Sequence, residues 1–185
     1  MNEENGLAGG RAYANDHKDE MANHFAAIES DLGAGHPLGF YAQGKPEILT
    51  LLQPLTVILQ TQGAGVTRLV EETGSDVAPL GAAGVPTFAP IQDARTYFNY
   101  HHTAADTLDK VNPKELQENC AVVAALAYTL ASTPQTLPRS LFRSSYFFRE
   151  MAALRTVPLV VLPSAPAVAD KLRLWVSFSV STALP

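Results

Sequence analysis

Short apolar runs separated by glycine, proline and charged residues recur along most of this chain, and their lengths alternate between helix-like and strand-like. Leu7 to about His24 reads as a helix entered through Gly6, Gly9 and Gly10, with Leu7, Tyr13, His17, Met21 and His24 near one side. Ala26-Ala27-Ile28-Glu29-Ser30-Asp31 is then a mostly apolar run that empties into carboxylates and glycine, the pattern of a buried strand with Asp31 at its carboxyl edge. Leu38 to Ala42 predicts a second strand, and Pro46 to Gln60 a helix kinked at Pro54. Val66 to Val70 predicts a strand, Asp76 to Ala83 a short helix, and Val85 to Ala89 a strand with Pro86 at its start. The clearest element is a helix near residues 113–131, where Asn112 can cap, Pro113 suits the first turn and Glu115 completes a capping-box-like pair. Its expected buried stripe is Leu116, Cys120, Val123, Ala127 and Leu130, with Cys120 a small core residue.

Helix and strand in alternation imply the α/β class with a mostly parallel or mixed central sheet. Sheets of that kind bind ligands outside the carboxyl ends of their strands, so the place of Asp31 carries functional weight. With 185 residues, 46% of them apolar, the chain suffices for one core. A net charge of -5 leaves no basic stripe for tracking phosphates, which argues against a nucleic-acid partner. The single cysteine excludes an intrachain disulfide and a cysteine-rich zinc finger. The apolar stretch Val157 to Ala169 is broken by Pro158, Pro163 and Pro166 and falls short of the roughly 20 residues of a membrane helix. No signal peptide can be read from Asn2-Glu3-Glu4, so localisation is open.

Composition changes after Arg139. All 12 glycines precede it, whereas residues 140–185 have none and cluster Tyr146-Phe147-Phe148. The expected division is therefore 1–139 as one globular unit and 140–185 as an atypical tail, either an appended hairpin or helix or a loosely packed extension.

The chemistry-bearing residues fall in four blocks. Met1-Asn2-Glu3-Glu4-Asn5-Gly6-Leu7 offers adjacent carboxylates, and Ile28-Glu29-Ser30-Asp31 a third at a strand end. Gly74-Ser75-Asp76-Val77-Ala78-Pro79-Leu80 reads as a helix cap, since Ser-Asp before a helix is a normal capping pair. Tyr97-Phe98-Asn99-Tyr100-His101-His102-Thr103-Ala104-Ala105-Asp106 sets two imidazoles in a loop ahead of the capped helix. Imidazole and carboxylate are donors that suit zinc, and Asp106 can orient that loop.

In this order and at these separations the four blocks, spanning roughly residues 2–133, resemble the zinc-dependent exopeptidases of the aminopeptidase and plasma glutamate carboxypeptidase (carboxypeptidase Q) type. The resemblance implies a three-layer α/β/α domain represented by its C-terminal portion, with peptide-bond hydrolysis by a water activated between two zinc ions. It implies Glu3 as general base, Glu4 and His102 as ligands of one zinc, Asp31 as ligand of the other, and His101 as an outer or structural residue. Family members supply a further histidine and a metal-bridging aspartate upstream of the paired glutamates, where this chain has no counterpart. The implied partners are a peptide or dipeptide substrate, with a homo-oligomer or a complementing N-terminal fragment left open, and the whole protein is compatible with secretion or export. The alternative is a non-catalytic remnant, or a partner-dependent interaction module, of the same fold.

Overall fold

The computed structural model describes residues 3–139 and the backbone of residues 173–178. Strands β1 (His24–Ser30), β2 (Pro37–Gln43), β3 (Val66–Leu69), β4 (Thr87–Gln92) and β5 (Arg173–Phe178) form one sheet in the order β3-β2-β4-β1-β5. β1 runs parallel to β4 and β5, while β2 runs antiparallel to β4 and parallel to β3, so the sheet is mixed. Helices α1 (Ala8–Asp16) and α3 (Ala78–Ala82) cover one face, and α2 (Glu47–Gln60) and α4 (Pro113–Ser132) the other. This is the expected three-layer α/β/α arrangement.

Alternation along β1 builds both cores. Ala26 and Ile28 join Phe40, Phe88 and the α2 and α4 side chains, whereas Ala27 packs with Met21, Val77, Leu80 and Val85 on the opposite face. On α2 the buried positions Ile48, Leu52, Leu55 and Leu59 keep the spacing of one helical face. The helix runs on through Pro54, which is exposed, so the carbonyl freed by the missing N–H faces water.

Several expectations are corrected. The first helix stops at Asp16; Lys18–Asn23 is a 3-10 segment and His24 already belongs to β1, because strand pairing prevails over the helical spacing. Tyr13 and His24 meet, hydroxyl to Nε2 at 2.9 Å, because the chain folds back between them; on one continuous helix they would stand about 16 Å apart. The strand expected at Val85–Ala89 is Thr87–Gln92, with Pro86 outside it and Pro90 within. The β1–β4 ladder ends at Phe88, so the missing N–H of Pro90 interrupts no bond to β1.

On α4 the Asn112 side chain accepts from the Lys114 N–H at 3.0 Å, a true cap. The buried stripe is Asn119, Val122, Val123, Leu126 and Leu130, turned from the expected one, and Cys120 is exposed rather than a core residue. Asn119 is buried because its amide is fully used, donating to the Gly35 and Glu115 carbonyls and accepting from Gln92.

Most of the 140–185 tail lies outside the described residues. Its segment 173–178 is a strand added parallel to the edge of β1. Among the described residues no helix is long and apolar enough to cross a membrane.

Candidate metal centre

Glu3 and Glu4 lie on a 3-10 turn, Glu3–Asn5, immediately before α1. Asp31 follows the last residue of β1, and His102 lies in the loop between β4 and α4. Because β1 and β4 are parallel, both of these loops leave the same edge of the sheet.

The clearest contact is between Glu4 and His102, whose Oε1 and Nε2 are 2.7 Å apart. His102 reaches it from a left-handed backbone, φ 57, which few residues other than glycine adopt. Its loop is closed by Thr103, whose hydroxyl donates to the Tyr100 carbonyl at 2.6 Å and accepts from the Ala105 N–H at 3.2 Å. His101 stacks on Tyr97, with ring centroids 4.5 Å apart and planes at 26°.

Asp31 is half-buried, and its carboxyl is held above the ordinary range. Burial is the main cause, followed by the charges of Glu3, Asp76 and Glu4, with His101 opposing them. The two glutamates, Asp31 and the His101–His102 loop therefore share one electrostatic neighbourhood.

Two acids behind Asp31 escaped the sequence reading. Glu29 is only 2% exposed, and burial pushes its carboxyl up to about 7, against the pull of the Val77 N–H that donates to its Oε2 at 2.9 Å. Asp76 is 1% exposed with Oδ1 unpaired among the described residues, so it is not the helix cap that its place before a helix suggested; α3 has no side-chain cap. A carboxylate inside an apolar strand run was the available signal for Glu29; for Asp76 there was none. Tyr97 was also missed as a site residue. Its hydroxyl makes a long 3.5 Å hydrogen bond to the Asp31 carbonyl, and its own ionisation is raised by burial and then by Asp31, Asp106, Glu4 and Glu3.

The Asp31 loop is gripped from below. Gln92 Nε2 donates to the Gly33 carbonyl at 2.6 Å and to Asn119 Oδ1 at 3.0 Å, and Asn119 Nδ2 donates to the Gly35 carbonyl at 2.6 Å. The remaining histidines are engaged elsewhere: His17 with Glu20, His24 with Tyr13, and His36 with Glu118 at 2.7 Å.

Carboxylate and imidazole are donor types that zinc accepts, and Glu4 with His102 brings one of each to a single point. The pair fits zinc in kind but not in number. A catalytic zinc usually takes three protein ligands, and among the described residues no group of three histidine, cysteine or acidic side chains is placed to hold an ion.

Comparison with known proteins gives this arrangement its context. The family model described as peptidase family M28 matches residues 1–127. Carboxypeptidase Q of Bos taurus is 33% identical over 145 residues, covering 75% of this chain and 29% of the relative, and that of Pongo abelii is 34% identical over the same shares. The crystal structure of a peptidase M28 precursor from Shewanella amazonensis superposes with a TM-score of 0.66 at 36% identity, over 73% of this chain and 31% of that one. An aminopeptidase from an Aneurinibacillus species gives a TM-score of 0.52 at 25% identity, over 76% and 32%. The chain thus spans just under a third of the length of the relatives it matches.

Proposed function

Since the chain belongs to peptidase family M28, we propose that it carries part of the active centre of a zinc-dependent exopeptidase, with Glu3 as general base and Glu4, Asp31 and His102 as metal ligands. The 2.7 Å contact between Glu4 and His102 carries this reading, because it joins residues almost a hundred positions apart at the carboxyl edge of the sheet. Glu4 and His102 would hold one zinc ion and Asp31 would serve a second, with further protein ligands from outside the described residues.

When bound, zinc lowers the pKa of a water and polarises the scissile carbonyl. The rest of the chemistry belongs to side chains. Glu3, next to Glu4 on the same turn, is free to accept a proton from the attacking water and return it to the departing amine. Adjacent residues on a tight turn project in different directions, so one carboxylate faces the ion while its neighbour faces the water. The uncompensated negative charge around Asp31 favours a cation there.

The test is zinc titration of the full chain with hydrolysis of dipeptide and aminoacyl reporters. Glu3→Gln should lower turnover roughly 10²- to 10⁴-fold with zinc affinity unchanged, whereas Glu4→Gln and His102→Ala should weaken zinc binding itself. Full turnover in Glu3→Gln would remove Glu3 from its role. The donor count favours a second reading, a module that does not catalyse until a partner completes the site; a chain that alone binds zinc tightly and cleaves peptides excludes it.

A further inference from the structure

We propose that Tyr97 is a positioning residue for the metal centre: its ring, seated against Gly33 and stacked on His101, locks the loop that carries Asp31 to the loop that carries His102. The inference rests on the assignment of Asp31 and His102 as ligands given above, and it adds the device that holds them in mutual register.

Several independent features meet at this ring. Gly33 has a φ of +86, and a Cβ there would fall 2.9 Å from Tyr97 Cδ2, so the tyrosine lies against bare backbone two residues beyond Asp31. Tyr97 also stacks on His101, and the Tyr97 carbonyl accepts the His101 N–H at 3.0 Å, so His101 is held by both ring and backbone. The His101 ring in turn lies 3.8 Å, centroid to centroid, from that of His102.

His102 itself sits at φ 57. A residue with a Cβ stays in that region only when its surroundings hold it there. Were His101 free to rotate, His102 could relax to negative φ, and its imidazole would swing away from Glu4. A ring that stacks is therefore required at position 97, while the hydroxyl, with its long bond to the Asp31 carbonyl, adds little.

The experiment uses the full chain and four variants, with the full chain, Tyr97→Phe, Tyr97→Leu and His101→Leu each also made with Glu4→Gln. Tyr97→Phe keeps the stack, Tyr97→Leu fills the space but cannot stack, His101→Leu removes the stack from its other side, and His102→Ala is the ligand control. Two readouts are taken at one fixed pH. The first, without metal, is the change in the His102 ring nitrogen NMR shift caused by Glu4→Gln, which reports the Glu4–His102 contact. The second is zinc affinity by competition with a chelating dye, with urea unfolding as a check on folding.

Tyr97→Phe should match the parent within about threefold in zinc affinity. Tyr97→Leu and His101→Leu should lose the ring response and bind zinc at least roughly tenfold more weakly, the usual effect of removing a group that orients a ligand. If both leucine variants keep the parental ring response, the proposal is wrong, and where Tyr97→Leu does not fold, His101→Leu alone decides. Unchanged zinc affinity in His102→Ala would instead overturn the ligand assignment, and the metal-free response would still decide the role of Tyr97.

Discussion

Gly74 sits against the buried carboxylate of Glu29, and replacing it with alanine tests how the region behind Asp31 is built. A Cβ at position 74 would lie 2.5 and 2.6 Å from the two carboxylate oxygens. Ordinary carbon–oxygen contact is about 3.4 Å, so the carboxylate must retreat by about 1 Å. At 2% exposure it has no solvent to retreat into, and the 2.9 Å bond from the Val77 N–H stretches beyond hydrogen-bonding range. Overpacking a tight site costs about 1–3 kcal/mol, and a buried hydrogen bond lost adds about 1–3 kcal/mol. Gly74→Ala should therefore destabilise the fold by about 2–6 kcal/mol.

The same substitution made in a Glu29→Ala background meets no carboxylate, and its cost should drop below about 1 kcal/mol. The assay is urea unfolding of the parent, both single variants and the double variant, with a chelator present so that no bound cation contributes. A coupling of about 1 kcal/mol or more is the expected result. If the two substitutions instead add to within about 0.5 kcal/mol, the close approach of Gly74 to Glu29 is not what requires a glycine.

Glu29 should also leave a signature in the pH dependence of stability. Its folded-state pKa is raised, from 4.5 to about 7, so between these values the folded protein holds a proton that the unfolded chain has released. Stability then falls as pH rises through that window, by up to about 3 kcal/mol at about 1.4 kcal/mol per unit. Glu29→Gln should flatten the slope in unfolding curves at pH 4.5 and 8, and an unchanged slope would assign it to other groups. Asn119→Leu should cost about 2–4 kcal/mol in urea unfolding, because it strands the Gly35 carbonyl and Gln92; a neutral result would mean that the amide network is dispensable. Cys120 should react with a thiol reagent in the native protein at the rate of an exposed cysteine, and Cys120→Ser should shift stability by less than about 0.5 kcal/mol; a protected thiol would return it to the core.

What could be read from sequence was local or tied to a motif. Asn112 and Pro113 announced α4 because a cap depends on a handful of neighbouring residues. The four blocks identified the peptidase family because their order and separations do not depend on knowing the packing. The rotation of α4 was not legible. Leu116 and Cys120 are apolar enough to be buried, but the helix turns to bring the polar Asn119 inward, because the Gln92 amide and the Gly35 carbonyl wait for it there. Tyr97 was hidden for a related reason: nothing in a run of aromatic and histidine residues says which ring stacks on which, and only the fold sets Gly33 behind it. His24 shows the same limit, since a helical reading would hold it about 16 Å from Tyr13, and only the break between α1 and β1 brings the two together.

The grip of Gln92 and Asn119 on the Asp31 loop has a consequence for how freely that loop can vary. Both amides hold carbonyl oxygens, which every amino acid supplies, so the hydrogen bonds do not depend on which side chains the loop carries. A library randomised at Leu32 and Ala34, with Gly33 and Gly35 kept, should thus return many folded members with Asp31 undisplaced, making this stretch a natural place to graft new recognition sequence beside the centre.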